Sequence, residues 1–257
     1  MNLLQTIILA IVEGLTEFLP ISSTGHMILT ANFMQISQSD FVKSFEIIIQ
    51  LGAIMAIIIL YWRRLVIDIN IWKKIIVAFV PTAIVGYSLY KFIKYYLLGN
   101  TQVVLISLFL GGIALIFLEL KYNKNNADVK TIKELTYKKA FIIGMFQSVS
   151  IVPGISRSAA TIFGSLIIGL ERELAVEFSF FLAIPTMVAA TGLDLLKSNF
   201  NYSQYQYLLL VLGFVGAFIT ALQTVRYFVN YIKKHSFIPF GVYRIILALV
   251  IWFTVLR

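Results

Sequence analysis

Two short strings in this chain gather most of the residue types that chemistry on a phosphate requires. The first runs Glu13-Gly14-Leu15-Thr16-Glu17-Phe18-Leu19-Pro20-Ile21-Ser22-Ser23-Thr24-Gly25-His26. Glu13 and Glu17 stand at i and i+4, so on a helix they share one face. Two carboxylates at that spacing repel each other unless a cation sits between them, either a divalent metal or a neighbouring Arg. Oxygen-only ligands suit Mg2+ or Ca2+. Ser22, Ser23, Thr24 and His26 follow the break at Pro20. Hydroxyls with an imidazole a few residues away are the raw material for a nucleophile and its base, or for contacts to a phosphate. Capping a helix N-terminus is the plainer role for any one of these hydroxyls. Of the two histidines, His26 is the informative one; His235 follows Lys233 and Lys234 and is expected in solvent.

The second string is Pro153-Gly154-Ile155-Ser156-Arg157-Ser158-Ala159-Ala160-Thr161. A Pro-Gly turn followed by hydroxyls at the start of an apolar helix makes an anion site, because free backbone N–H groups and the positive helix end converge there. Arg157 adds a planar fork suited to phosphate or carboxylate oxygens. Its plainer role is a structural pair with Glu13 or Glu17. Its functional role is to hold a phosphate group with Ser156, Ser158, Thr161 and the turn at Gly154. Gln147 would complete that site as a neutral counterpart of Glu13. Glu46, Glu119, Asp194 and Arg244 also fall in or near apolar segments, and they rank as helix-end or packing residues.

These strings need elements that can hold charges inside an apolar chain. Of 257 residues, 60% are hydrophobic and 13% charged, and the mean hydropathy is +0.89. About a quarter of a soluble domain is charged, so this chain lacks the polar surface to cover a globule in water. Apolar runs of about 20 residues, the length that crosses about 30 Å of hydrocarbon, recur along it. The fold class is therefore an all-α integral membrane protein, since the alternating ten-residue pattern of a barrel does not occur. The net charge of +9 fits Lys and Arg in cytoplasmic loops. No nucleic acid partner is expected, because the basic residues flank apolar spans and form no stripe. The absence of cysteine excludes disulfides and thiolate metal sites. The N-terminal stretch lacks a basic leader and does not read as a cleavable signal.

Six segments are long enough to span the bilayer, roughly 44–62, 74–95, 102–120, 174–196, 207–230 and 240–256. Two further apolar stretches, about 3–31 and 140–170, are broken by polar residues, Pro and Gly. They read as re-entrant helical hairpins, whose irregular backbone is tolerated only beside protein or a wet cavity. The chain also repeats itself faintly. A shift of 134 residues (147 − 13) places Glu13 on Gln147, Pro20 on Gly154, Ile21 on Ile155 and Ser22 on Ser156. Each half then holds one hairpin and three transmembrane helices. Three is odd, so the second half enters the membrane in the opposite sense, and inverted repeats of this kind place a polar site near the bilayer middle. The expectation is a polytopic helical bundle forming one membrane domain over 1–257, with repeat 1 at about 1–122 and repeat 2 at about 136–257. A basic loop at about 121–139 joins them. Lys and Arg collect after the first, third and fifth spans, which puts those loops in the cytoplasm. Both termini and the mouth of the first hairpin then face outward.

Glu13-x-x-x-Glu17 with the following Ser-Ser-Thr-Gly-His, and then Pro-Gly-Ile-Ser-Arg-Ser-x-x-Thr from Pro153 to Thr161, resemble the motifs of the undecaprenyl pyrophosphate phosphatase family of bacteria, associated with bacitracin resistance. The resemblance covers the whole chain in length, hydropathy and motif order; Thr24 stands where a Ser is also familiar. It implies a multi-pass enzyme of the bacterial plasma membrane that removes the terminal phosphate from undecaprenyl pyrophosphate. The product, undecaprenyl phosphate, is the lipid carrier for peptidoglycan and other envelope polymers. It also implies a divalent cation, Mg2+ or Ca2+, held near Glu13 and Glu17, and an active site open to the outer face. The partners are then the polyprenyl pyrophosphate and membrane lipid, with a homodimer as the assembly to test. Carried over, Glu13 and Glu17 belong to the family's acidic motif, Ser23 and His26 to its serine–histidine stretch, and Ser156, Arg157 and Thr161 to its phosphate motif. Ser23 is the favoured nucleophile, with Glu17 or His26 as its base, and His26 as direct nucleophile is the competing version. An inverted-repeat transporter or flippase for a phosphorylated lipid is the alternative from another class.

Overall fold

A computed structural model describes every residue of the chain except 38, 90, 91, 93–95, 98, 99, 123–126, 196–201, 256 and 257. Among the described residues the regular structure is helical, apart from one isolated bridge between Val129 and Leu170. The helices are α1 Leu3–Thr16, α2 Ser23–Phe33, α3 Asp40–Ile67, α4 Ile69–Ser88, α5 Thr101–Lys121, α6 Tyr137–Ser148, α7 Arg157–Ile167, α8 Arg172–Leu195, α9 Gln204–Ile232 and α10 Ile238–Val255.

Five of these, α3, α4, α5, α8 and α9, are long and apolar enough to cross a membrane. The sixth expected span, 240–256, corresponds to α10. Its stretch Ile238–Thr254 is apolar but shorter, at the lower end of the 17–25 residues that reach across. The span expected at 74–95 begins earlier, at Ile69, where the Asp68 carboxylate accepts from the Asn70 N–H. Its far end lies partly outside the described residues. The outward faces of the long helices carry exposed Ile59, Ile84, Leu110 and Val211, and α10 carries exposed Phe253. In water such a surface would drive aggregation; against lipid it is the proper solvent-facing side.

Both broken stretches are pairs of short helices. α1 starts in a capping box, where the Asn2 side chain accepts from the Gln5 N–H and the Gln5 side chain accepts from the Asn2 N–H. Thr6, Leu9, Ala10, Glu13 and Gly14 form its buried face, spaced as one side of a helix. That face packs on α9 so closely that a Cβ on Gly14 would stand 2.7 Å from the Ala217 carbonyl oxygen. α6 meets α4 in the same manner, with Gly144 against the Ala78 carbonyl. Small residues at helix crossings allow this backbone approach.

Several helix boundaries in the two halves coincide under one shift in sequence. A shift of 134 residues carries Ser23–Phe33 exactly onto the limits of α7, 157–167, and the start of α1 onto that of α6. The packing follows: α1 on α9 corresponds to α6 on α4, and α3 on α9 to α8 on α4. Each half therefore packs chiefly against the other. The largest apolar core draws on both, from Phe18, Ile54 and Ile57 to Ile162, Phe178, Phe228 and Phe237.

The basic segments after the first, third and fifth spans meet at one end. Arg63, Arg64, Lys130, Lys133 and Lys233 line a common cleft of about 1150 Å³, together with Glu173 and Glu177. Arg64 pairs with Glu177 there, and Arg172 pairs nearby with Glu119. Within the connecting loop, Lys139 pairs with Asp128 at 2.9 Å. The Glu134 carboxylate accepts from the Lys130 and Thr131 N–H groups.

Candidate active site

The two breaks in the short helix pairs share one backbone device. Ser22 and Ser156 both have positive φ, 72° and 76°, a region that non-glycine residues rarely occupy. Each then caps the helix that follows: Ser22 Oγ accepts from the Gly25 N–H at 3.3 Å, and Ser156 Oγ from the Ala159 N–H at 3.2 Å. The strained residue turns the chain sharply, so that Ser23 and Arg157 become the first residues of α2 and α7. Backbone strain of this kind costs on the order of 1–3 kcal/mol and is characteristically stored at functional sites.

That turn brings the two strings together. Glu17, at the end of α1, accepts from Ser23 Oγ on Oε2 at 2.5 Å and from Arg157 Nη2 on Oε1 at 2.8 Å. One carboxylate therefore joins the hydroxyl of the first string to the guanidinium of the second, across 140 residues of sequence. Arg157 Nη1 donates to the Ser179 carbonyl on α8 at 2.8 Å, and its Nε–H is buried with no partner. Phe18 flanks the guanidinium, with Arg157 Cζ 5.9 Å from its ring centre. The structural pair with Glu17 is thus present, and the fork keeps one unused donor beside it.

Glu13 is fully buried, and neither of its carboxylate oxygens accepts a hydrogen bond. The charges that act on it are Glu17, Glu46 and Arg157. A buried carboxylate without donors is costly and asks for a proton or a cation. No cluster of three or more acidic or imidazole ligands occurs among the described residues. A hard cation held by one or two carboxylates and completed by phosphate oxygens is nevertheless the usual Mg2+ arrangement. Glu13 with the remaining lone pairs of Glu17 fits that arrangement.

The other predicted residues divide into two groups. Ser158 Oγ donates to the Leu19 carbonyl at 2.7 Å and lies 3.0 Å from Ser156 Oγ, tying the second break to the first. Thr161 Oγ1 lies within hydrogen-bond distance of the Arg157 and Ser158 carbonyls and 2.6 Å from Ser179 Oγ. It braces the Arg157 helix from behind. Gly154 has φ +92°, and a Cβ there would meet the Val104 carbonyl at 2.6 Å. Ser22 caps, as above, and its carbonyl receives His26 Nδ1 at 2.8 Å. His26 Nε2 meets Tyr243 Oη at 2.7 Å, so neither ring nitrogen contacts Ser23 or Glu17. Two residues stand apart from the Glu17–Arg157 pair. Thr24 is exposed, and the Gln147 amide donates to Thr82 and Thr186.

Arg244, ranked from sequence as a helix-end or packing residue, is fully buried and donates only to backbone carbonyls. Nη1 reaches Pro20 at 3.2 Å and Ile155 at 2.9 Å; Nη2 reaches Gly154 at 3.0 Å and Ser107 at 3.1 Å; Nε reaches Leu108 at 3.3 Å. One guanidinium thus binds both breaks to α5. Gly111 makes room for it, since a Cβ at that position would fall 2.1 Å from Nη2. The signal available in the sequence was an ionisable residue inside an apolar span, which is functional by default. Ser179 offered no such signal.

Fold and site together define a class: a helical membrane protein with an acid–hydroxyl–guanidinium cluster buried where two broken helix pairs meet. The model of the bacitracin resistance protein BacA family matches residues 6–250, and the chain belongs to that family. It is 53% identical over 246 residues to an undecaprenyl-diphosphatase of Aquifex aeolicus, covering 96% of each chain. It is 50% identical over 257 residues to an undecaprenyl-diphosphatase of a Sulfurihydrogenibium species, covering 98% of this chain and all of the relative. A relative of the same name from Persephonella marina is 46% identical over 250 residues.

Proposed function

We propose that this chain is an integral membrane phosphatase that hydrolyses undecaprenyl pyrophosphate to undecaprenyl phosphate and inorganic phosphate, recycling the lipid carrier for envelope synthesis and thereby conferring resistance to bacitracin. The observation that carries this reading is the double engagement of Glu17 with the Ser23 hydroxyl and the Arg157 guanidinium. Phosphoryl transfer depends on positioning and on neutralising charge, and one carboxylate here arranges both the nucleophile and the cation.

In this mechanism Glu17 Oε2 takes the proton of Ser23 Oγ as that oxygen attacks the terminal phosphorus. The bond from that phosphorus to the bridging oxygen breaks, and undecaprenyl phosphate leaves with the bond's electrons on the bridging oxygen. Water then cleaves the phosphoserine, returning the proton to Ser23 and releasing phosphate. Arg157 turns its unpartnered Nε–H, and the Nη2 now on Glu17, toward the phosphate oxygens. Arg244 holds the two halves of the site at a fixed separation through the Pro20, Gly154 and Ile155 carbonyls. A Mg2+ or Ca2+ ion at Glu13 and Glu17 would supply further neutralisation of the pyrophosphate. The His26 ring nitrogens are engaged by Ser22 and Tyr243, which favours Glu17 over His26 as the base for Ser23.

The same reading takes the two halves as inverted repeats, with α1–α2 and α6–α7 as re-entrant hairpins. The basic cleft then faces the cytoplasm and the site opens toward the outer face of the bacterial plasma membrane. The aromatic chain Phe18–Phe180–Tyr61 stands between the Glu17 region and the cleft wall, which supports access from the far side. Purified protein in detergent, supplied with a polyprenyl pyrophosphate and Mg2+ but no gradient, is expected to release phosphate. A transporter of the same architecture releases none. Full activity in Arg157→Ala would remove the site from the reaction.

A further inference from the structure

The last helix contributes a second residue to the site beside Arg244. Tyr243 Oη lies 2.7 Å from His26 Nε2, and the two rings stack 5.6 Å apart at 8°. On the other side of the imidazole, Nδ1 lies 2.8 Å from the Ser22 carbonyl. A carbonyl can only accept, so Nδ1 carries the hydrogen. In the neutral ring Nε2 is then a bare lone pair, and the hydrogen bond there is donated by the Tyr243 hydroxyl.

From this geometry, and resting on the phosphatase reading above, we infer that Tyr243 is a positioning residue of the reaction: it holds His26 in the Nδ1–H tautomer with Nε2 as the acceptor at the edge of the site. Two features fix the arrangement. The Ser22 carbonyl is held at the head of α2, where it also accepts from the His26 N–H at 3.1 Å. Tyr243 is held in place by its neighbour Arg244, whose five carbonyl contacts anchor α10 to both breaks. The consequence for chemistry is specific. Nδ1 is excluded as a nucleophile or base, and whatever His26 does passes through Nε2 and the partly exposed phenol beyond it. Tyr243 does not take part in bonding changes; it determines which nitrogen can.

The chain has only two histidines, so nitrogen NMR on protein labelled at histidine resolves them, with His235→Gln identifying the other. The neutral His26 ring is expected to show a protonated Nδ1 and an unprotonated Nε2. In Tyr243→Phe, which keeps the stacked ring and removes only the hydroxyl, the Nε2 resonance moves toward that of a free lone pair while Nδ1 stays protonated. Phosphate release from a polyprenyl pyrophosphate falls on the order of 10-fold in kcat, the scale of one lost hydrogen bond. The same substitution costs nothing further in a His26→Gln background. A proton on Nε2 in the unsubstituted protein, an Nε2 signal unmoved by Tyr243→Phe, or an undiminished penalty in the His26→Gln background overturns the assignment. The spectrum is read without turnover, so it stands or falls apart from the phosphatase reading, which an inactive unsubstituted protein would defeat instead.

Discussion

The two breaks in this molecule have nearly the same backbone and opposite chemistry. Ser22 and Ser156 occupy equivalent places, share a rare φ and cap equivalent helices. The residue after each is Ser23 in one and Arg157 in the other. Four helical positions into the same register, His26 has only Ala160 as its counterpart, and Glu13 has Gln147. The first break therefore carries the acids, the hydroxyl and the imidazole; the second carries the cation. Two strained turns in matching positions are tied together through Ser158 and Arg244, and in the proposed mechanism a few differing side chains make one the nucleophile site and the other the anion site. Glu17 likewise has no acidic counterpart, since its equivalent position is Ile151.

If that division of labour holds, the first break is the more sensitive to substitution. Ser23→Ala and Glu17→Gln each remove a reacting group, and phosphate release should fall by about two to four orders of magnitude; a loss below tenfold in either would break the contrast. Next in size is Arg157→Lys, which keeps the charge but loses the fork that spans Glu17, Ser179 and the free Nε–H. A fall of about 10²-fold, mainly in kcat, is expected from the loss of one preorganised donor set. Arg244→Met tests what the two breaks share. It leaves the Pro20, Gly154 and Ile155 carbonyls without their donor, and unsatisfied buried carbonyls cost about 1–3 kcal/mol each. A clear drop in thermal midpoint, with loss of phosphate release, should follow. The Gly111 pocket, left empty by Met's slimmer tip, gives no compensation.

The smallest effect lies far from the site, in the loop that joins the halves. The Lys139 ammonium beside Asp128 holds that carboxyl below its ordinary range, and the Lys130 N–H does the same for Glu134. A depressed carboxylate stabilises the fold above its unfolded pKa and loses that contribution as pH falls through the folded value. Loop protection in hydrogen exchange should therefore weaken only below about pH 4. Because both groups are exposed, the effect is modest and sensitive to salt.

How much of this could be read from the chain depends on how local each signal is. The shift of 134 residues, the paired acids and the Ser-Arg-Ser string are contiguous, so α2, α7 and the Glu17–Ser23–Arg157 cluster were accessible without coordinates. The limits of long helices were less so: α3 begins at Asp40 and not near 44 because Ser39 caps it. Tyr243, Arg244 and Ser179 reach the site only through tertiary packing. Tyr243 is an ordinary aromatic in an apolar span, and nothing in its neighbourhood announces His26, 217 residues away. Thr161 looked like a phosphate ligand because it follows the motif at helical spacing, yet its hydroxyl is taken up by α7 carbonyls and Ser179. Gln147 matched Glu13 in register and in burial, but its partners are the threonines of α4 and α8.

The proposed mechanism requires Ser23 Oγ to accept the phosphoryl group while Glu17 accepts its proton. Rapid quenching of turnover with a lipid pyrophosphate labelled in its terminal phosphate, followed by mass-spectrometric mapping of the protein, tests that most directly. The label is expected on the peptide containing Ser23, as phosphoserine, and absent in Ser23→Ala. Label on His26, or turnover by Ser23→Ala at the rate of the unsubstituted protein, would contradict it.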